Sequence, residues 1–232
     1  MLMFYFCIHG WATNSLVWPE ELFSLKNSFK YNITPFPNML DLMKTFDMVW
    51  EKQNKKLTLV GWSLGGMLAL QLAAQCPNKI EKLVLIGSTP RFTSCENYNG
   101  GIPAPIVKNL ARKLSRKKLE TQLDFYQSMF SQKEITLSQK FIRDFAPIFL
   151  DIDLDALQNG LSYLQNTDLR HILPSITIPT EIIHGTADCI CLPEAAKYMA
   201  STIPYAKVTY LPDAGHVPFL TRGKTIAKIM NV

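Results

Sequence analysis

The 232-residue chain has no run of apolar residues long enough to span a bilayer. Its most apolar end, "MLMFYFCIHGW", breaks off at His9 and lacks the positive flank of a secretion signal. It reads as a buried strand that begins almost at the first residue. No repeat and no low-complexity tract is present. The five cysteines, Cys7, Cys76, Cys95, Cys189 and Cys191, make an odd count and form no C-x-x-C pair, so neither a disulfide framework nor a zinc site is indicated. The expectation is reduced thiols in a cytoplasmic protein. Charge of one sign is also scarce: 24 basic against 19 acidic residues leave +5, with no basic stripe interleaved with aromatics of the kind nucleic-acid binders carry. These features argue against a membrane protein, a nucleic-acid binder and a metalloprotein.

What is present is a 47% hydrophobic chain, enough for one sizeable core. Apolar runs at Phe4–His9, Leu57–Gly61, Lys82–Ile86, Ile178–His184 and Lys207–Leu211 read as strands, with a weaker one at Ile33–Phe36. Helical patterns fall at Trp18–Phe29, Leu40–Gln53, Leu64–Gln75, Glu194–Ser201 and Thr225–Met230. Such alternation predicts an α/β fold with a mainly parallel sheet covered by helices on both faces, its working residues at the carboxyl ends of the strands. Residues 90–173 break the rhythm. They show helical periodicity (Leu119, Leu123, Tyr126, Phe130) and no convincing strand, which predicts a helical lid inserted into a core formed by 1–89 and 174–232.

The stretch "LTLVGWSLGGMLAL" sets Ser63 among Gly61, Gly65 and Gly66, between a strand pattern and a helix pattern. G-x-S-x-G in that context is a nucleophile elbow: a sharp turn exposes the serine, and small neighbours let strand and helix approach. On its own the motif is weak, and an ordinary turn serine is the bland alternative. A serine hydroxyl needs a base. Of His9, His171, His184 and His216, the last follows the final strand pattern in "PDAGHVPF" and leads into the final helix, which favours it over the usual structural role of a lone histidine. Asp188, in "IIHGTADCI", is favoured as the group that orients the base. Asp213 stands too close to His216 in sequence and is expected to make a local Asx contact. The order Ser63, Asp188, His216 is that of α/β-hydrolase triads. The backbone N–H groups of Leu64 and of Trp11, in "IHGW", are the expected oxyanion donors, with His9 bracing the loop.

These motifs resemble those of α/β-hydrolase esterases. "HGWATNSLVW", "GWSLGGMLALQLA", "TDLRHILPSITIPT" and "GHVPF" are most similar to the pimeloyl-carrier methyl esterases of biotin synthesis, over most of the chain and least over the lid. The resemblance implies a serine esterase that frees methanol from a diacid half-ester carried as a thioester on an acyl carrier protein, without metal or organic cofactor. Two departures stand out. The antiparallel edge strands that precede the H-G loop in the family are expected to be missing, and the segment after Phe36 lacks the Gly-rich turn. Trp11, Trp62, Phe125 and Met129 are the candidate pocket liners, although packing within the lid is favoured slightly for the last two. Arg112, Arg116 and Lys117, with Lys140 and Arg143, are candidates for docking the acidic carrier, against the alternative of a solvated helix face. Glu120 and Asp124 interrupt that basic cluster. A monomer is expected. A broader carboxylesterase or thioesterase, or a hydrolase fold kept only as an interaction module, are the other readings. The second of these is disfavoured by a complete Ser-Asp-His set.

Overall fold

The structure, a computed structural model, describes residues 3–23, 27–34, 36 and 38–230. Six parallel strands form one sheet in the order β2-β1-β3-β4-β5-β6: β1 Tyr5–Ile8, β2 Ser28–Tyr31, β3 Leu57–Trp62, β4 Ile80–Ile86, β5 Thr180–Gly185 and β6 Ala206–Leu211. All six residues of β3 are buried, as expected of a central parallel strand with both faces covered. The helix α2 (Leu64–Gln75) that follows is apolar nearly all round and buried from Leu64 to Leu70. In contrast, α1 (Met39–Gln53) buries one stripe, Leu42, Phe46 and Val49. It starts on Asn38, whose side chain accepts from the Asp41 N–H, and ends on Asn54 in the left-handed region (φ 49°).

The helix expected over Trp18–Phe29 does not form among the described residues. The chain makes a 3-10 turn at Ser15–Val17, further turns to Phe23, and then β2. Phe29 and Tyr31 stack on Phe6 of β1, with ring centroids 5.4 and 5.9 Å away. Pairing with the sheet's main chain therefore overrides the local helical pattern, and the edge strand lies earlier than the Ile33–Phe36 expected. Pro35, inside that expected strand, lies outside the described residues.

Between β4 and β5 the chain is helical: α3 Ala104–Arg116, α4 Lys118–Ser128, α5 Ile135–Asp144, α6 Ala146–Phe149 and α7 Leu154–Asn166. These helices meet the loops that leave the carboxyl ends of the strands. The Tyr126 hydroxyl donates to Ala12 O at 2.6 Å, and Trp11 Nε1 donates to Leu157 O at 2.8 Å. At the base of the insertion Arg91 pairs with Asp168 at 2.6 Å, a carboxylate that Arg170 also binds. Those two guanidiniums hold the Asp168 carboxyl well below the usual range. The remaining helices, α8 Pro193–Thr202, α9 Pro218–Thr221 and α10 Gly223–Met230, flank β6 in the sequence. No described helix is long and apolar enough to cross a membrane.

Candidate active site

Ser63 stands at the turn from β3 into α2 with φ 55° and ψ −122°, a conformation a non-glycine residue adopts only under constraint. The constraint is close packing. A Cβ on Gly61 would lie 2.6 Å from Gly65 O, and one on Gly65 would overlap the main-chain oxygens of Ile8 and His9. The glycines thus let α2 press onto both β1 and its own strand, which drives the turn. Ser88 Oγ donates to Ser63 O at 3.0 Å and fixes the corner from β4's side. Ser63 offers α2 no side-chain cap, so its hydroxyl is not committed to the helix end.

Asp188 and His216 come from loops after β5 and β6 and meet at the same edge of the sheet. His216 Nδ1 donates to Asp188 Oδ2 at 2.8 Å, both side chains fully buried. Asp188 Oδ1 accepts from the N–H groups of Ile190 (2.9 Å) and Cys191 (3.0 Å), so the carboxylate is held rigidly. Asp213 does not make the expected local contact. Its carboxylate pairs with Lys133 at 2.9 Å, which leaves Asp188 as the partner of the imidazole. His216 Nε2 is buried without a hydrogen-bond partner. A Ser63–His216 bond is therefore not made in this structure; such bonds commonly tighten only around substrate. Burial, reinforced by the Asp188 carboxylate, raises the Cys191 thiol well above its ordinary value, so it stays protonated beside the serine.

Trp11 and Leu64 flank this point, and with Gly10, Leu157 and Gly160 they border a cavity of about 20 Å³. His9 braces the loop as expected: Nδ1 donates to Gly10 O (2.8 Å) and Nε2 accepts from Ile33 N–H (3.0 Å). Burial pushes its imidazole down to about 4, so it is neutral near pH 7. His171 is exposed, away from this cluster's buried interior.

The expected pocket liners separate. Trp62 is fully buried and lines no surface; its ring packs on Phe219 (5.1 Å) and His216 (5.4 Å) as a brace behind the imidazole. Met129 is likewise fully buried, and it is its carbonyl that matters, accepting the His216 N–H at 2.7 Å. Phe125 stands edge-to-face on Trp11 at 4.7 Å and borders a mostly apolar cleft of about 340 Å³ with Phe92, Val107, Leu110 and Ile190. Of the basic candidates, Lys117 is paired with Glu120 and Arg143 with Asp144, while Lys140 is exposed. Lys113 is tied to Asp124 and Glu120. Lys108, Arg112 and Arg116, spaced by four on α3, are exposed and form no ion pair with a described residue.

Sequence reasoning assigned no part in the site to two buried groups. His184, on β5, stands 3.4 Å from Asp188 Oδ2 and donates to Cys191 O; burial lowers its pKa, so Asp188 faces one neutral imidazole besides His216. Glu134 is buried beside the loop that bears His216, signalled in the sequence only by Ser131-x-x-Glu134, a capping pattern. No group of three or more His, Cys, Asp or Glu among the described residues could hold a metal ion.

This geometry has clear kin. A family model described as the alpha/beta hydrolase fold matches residues 27–223. The chain is 30% identical over 230 residues to a pimeloyl-[acyl-carrier protein] methyl ester esterase of Nitrosomonas europaea, covering 92% of this chain and 88% of that one. It is 31% identical to an esterase of the same name from Wigglesworthia glossinidia brevipalpis, over 96% and 90% of the two chains. Among solved structures, a bromoperoxidase from Bacillus anthracis superposes with a TM-score of 0.86 at 20% identity over 99% of this chain and 91% of its own. An esterase from Exiguobacterium antarcticum does so with a TM-score of 0.81 at 23% identity, over 98% and 90%. The elbow, the strand order and these matches agree: the chain belongs to the α/β-hydrolase fold family, in the branch that holds the two esterases.

Proposed function

We propose that this protein is a serine ester hydrolase that removes the methyl group from a dicarboxylate half-ester whose other end is held as a thioester on an acyl carrier protein, a step of biotin synthesis. The observation that carries the reading is the 2.8 Å His216–Asp188 bond brought against the strained Ser63 elbow. The names of the two relatives supply the substrate class.

Ser63 Oγ attacks the ester carbonyl while His216 Nε2, the buried ring nitrogen left without a partner, takes its proton. Asp188 holds the ring in the tautomer that leaves Nε2 basic and stabilises the imidazolium. The N–H groups of Trp11 and Leu64 face the oxygen on which charge develops; losing one such donor costs about 10²–10³ in rate. The proton then passes to the departing methoxide, methanol leaves, and water repeats the sequence on the acyl-serine to release the free carboxylate and restore Ser63.

Residues 90–173 form a lid in this reading. The apolar cleft between α3, α4 and the Asp188 loop suits the methylene chain of the acyl group. Lys108, Arg112 and Arg116 on α3, which form no ion pair with a described residue, form the face that meets an acidic carrier, whereas Lys117 and Arg143 are already neutralised. The deciding experiment is hydrolysis of a carrier-bound dicarboxylate methyl ester by purified protein beside Ser63→Ala. The variant is expected to stay folded and lose about 10³-fold or more. Equal turnover of free and carrier-bound esters would instead favour a broad carboxylesterase.

A further inference from the structure

The lid segment between α4 and α5 does more than cover the site. The main-chain N–H groups of Gly215 and His216, the two that immediately precede the imidazole, are both bound from it. His216 N donates to Met129 O at 2.7 Å and Gly215 N to Glu134 Oε2 at 2.9 Å. The Ser131 hydroxyl adds a bond to Asp213 O at 2.6 Å. A Cβ at Gly215 would come within 2.5 Å of Met129 O, so the two segments are in direct backbone contact.

Glu134 is the centre of this joint. Glu134 is 3% exposed, and a carboxyl group so buried is tolerated only where partners replace its water. One partner, the Ser131 N–H at 3.1 Å, belongs to an ordinary capping box. Starting a short helix does not require burial, nor the other two partners. Those are Gly215 N–H, just before His216, and Arg222 Nη1 at 3.1 Å, just after α9. Glu134 therefore grips the histidine-bearing segment on both sides of the imidazole.

We propose that Glu134 is a positioning residue for the reaction: through Gly215 and Arg222 it fixes the main chain that aims His216 at Ser63, so the imidazole is registered to the lid as well as to the sheet. The role rests on the ester-hydrolase reading above. Of the lid, the Met129–Glu134 segment is the part that cannot swing away without carrying His216 with it.

The test uses Glu134→Ala and Glu134→Gln in the full chain, with amide hydrogen exchange and turnover of a short p-nitrophenyl ester as readouts. In Glu134→Ala the Gly215 and His216 amides are expected to exchange at least tenfold faster while those of β5 and β6 keep their rates. kcat falls tenfold or more with KM within twofold. Glu134→Gln, which keeps an acceptor oxygen and its size, falls between the parent and the alanine variant in both readouts. Unchanged exchange at Gly215 and His216, an unchanged kcat, or acceleration spread evenly over the sheet would overturn the proposal. So would failure of both variants to fold, since Glu134 would then serve folding alone. Exchange is read without turnover, so an active Ser63→Ala would sink the ester-hydrolase reading and leave the anchoring result standing.

Discussion

Trp62 Nε1 donates to the main-chain oxygen of His216 at 2.9 Å, joining residues 154 positions apart. The residue before Ser63 thus holds the main chain of His216, the proposed base. The elbow and the loop that bears His216 are one packed unit, with the indole wedged between the imidazole and Phe219.

Trp62→Phe preserves most of the ring volume and removes the donor. It leaves the His216 carbonyl unpaired in the interior, at a cost of about 1–3 kcal/mol in stability. The expected result is a lower urea midpoint together with a several-fold fall in kcat. A variant with the parent's kcat would show that this bond does not position the imidazole.

Gly65→Ala tests the elbow's packing. The added methyl group meets the main-chain oxygens of Ile8 and His9, which cannot rotate away as a side chain could. Destabilisation of about 2 kcal/mol or more is expected from overpacking, measured by urea unfolding. Unaltered stability would mean that α2 does not depend on this close approach to β1.

Charge reversal of Arg112 and Arg116 separates a docking face from a merely solvated one. With no ion pair to a described residue to lose, the double variant is expected to fold normally and to hydrolyse a free methyl ester at the parent's rate. KM for the carrier-bound ester should rise by about tenfold, less so at high salt. Equal effects on both substrates would return this face to bulk solvent.

His9 gives the stability a pH dependence of known sign. Its folded pKa of about 4 lies below the value of about 6.5 for an unperturbed histidine. Between those values the unfolded chain binds a proton that the native state refuses, so stability falls as pH drops from about 6.5 to 4 and this contribution changes no further below that. The full difference is about 3 kcal/mol, and His184, also lowered by burial, acts in the same direction. Urea unfolding of the parent and of His9→Gln across that range should show a shallower slope for the variant; parallel slopes would contradict the assignment.

The elbow was legible in the chain because its signal is local. Gly61, Ser63 and Gly65 must sit at fixed spacing between a strand and a helix, and that spacing is written in consecutive residues. Asp188 and His216 were legible by their place after β5 and β6, since parallel strands deliver their following loops to one edge. The edge strand β2 was not. Its first two residues, Ser28 and Phe29, close a helical pattern, and only the open side of β1 gives the strand a hydrogen-bonding partner.

By itself the sequence determined the class of chemistry and the strands that would present it, because strand periodicity and the elbow's steric demands act within a few residues. Tertiary structure alone decided the fate of Asp213, whose carboxylate pairs with Lys133 of the segment before α5 instead of making a local contact. It also turned Trp62 from a pocket wall into a brace and brought Glu134 under Gly215 across 81 positions. Hydrogen bonds and ion pairs between distant segments depend on directions and distances that exist only once the sheet has set its loops side by side.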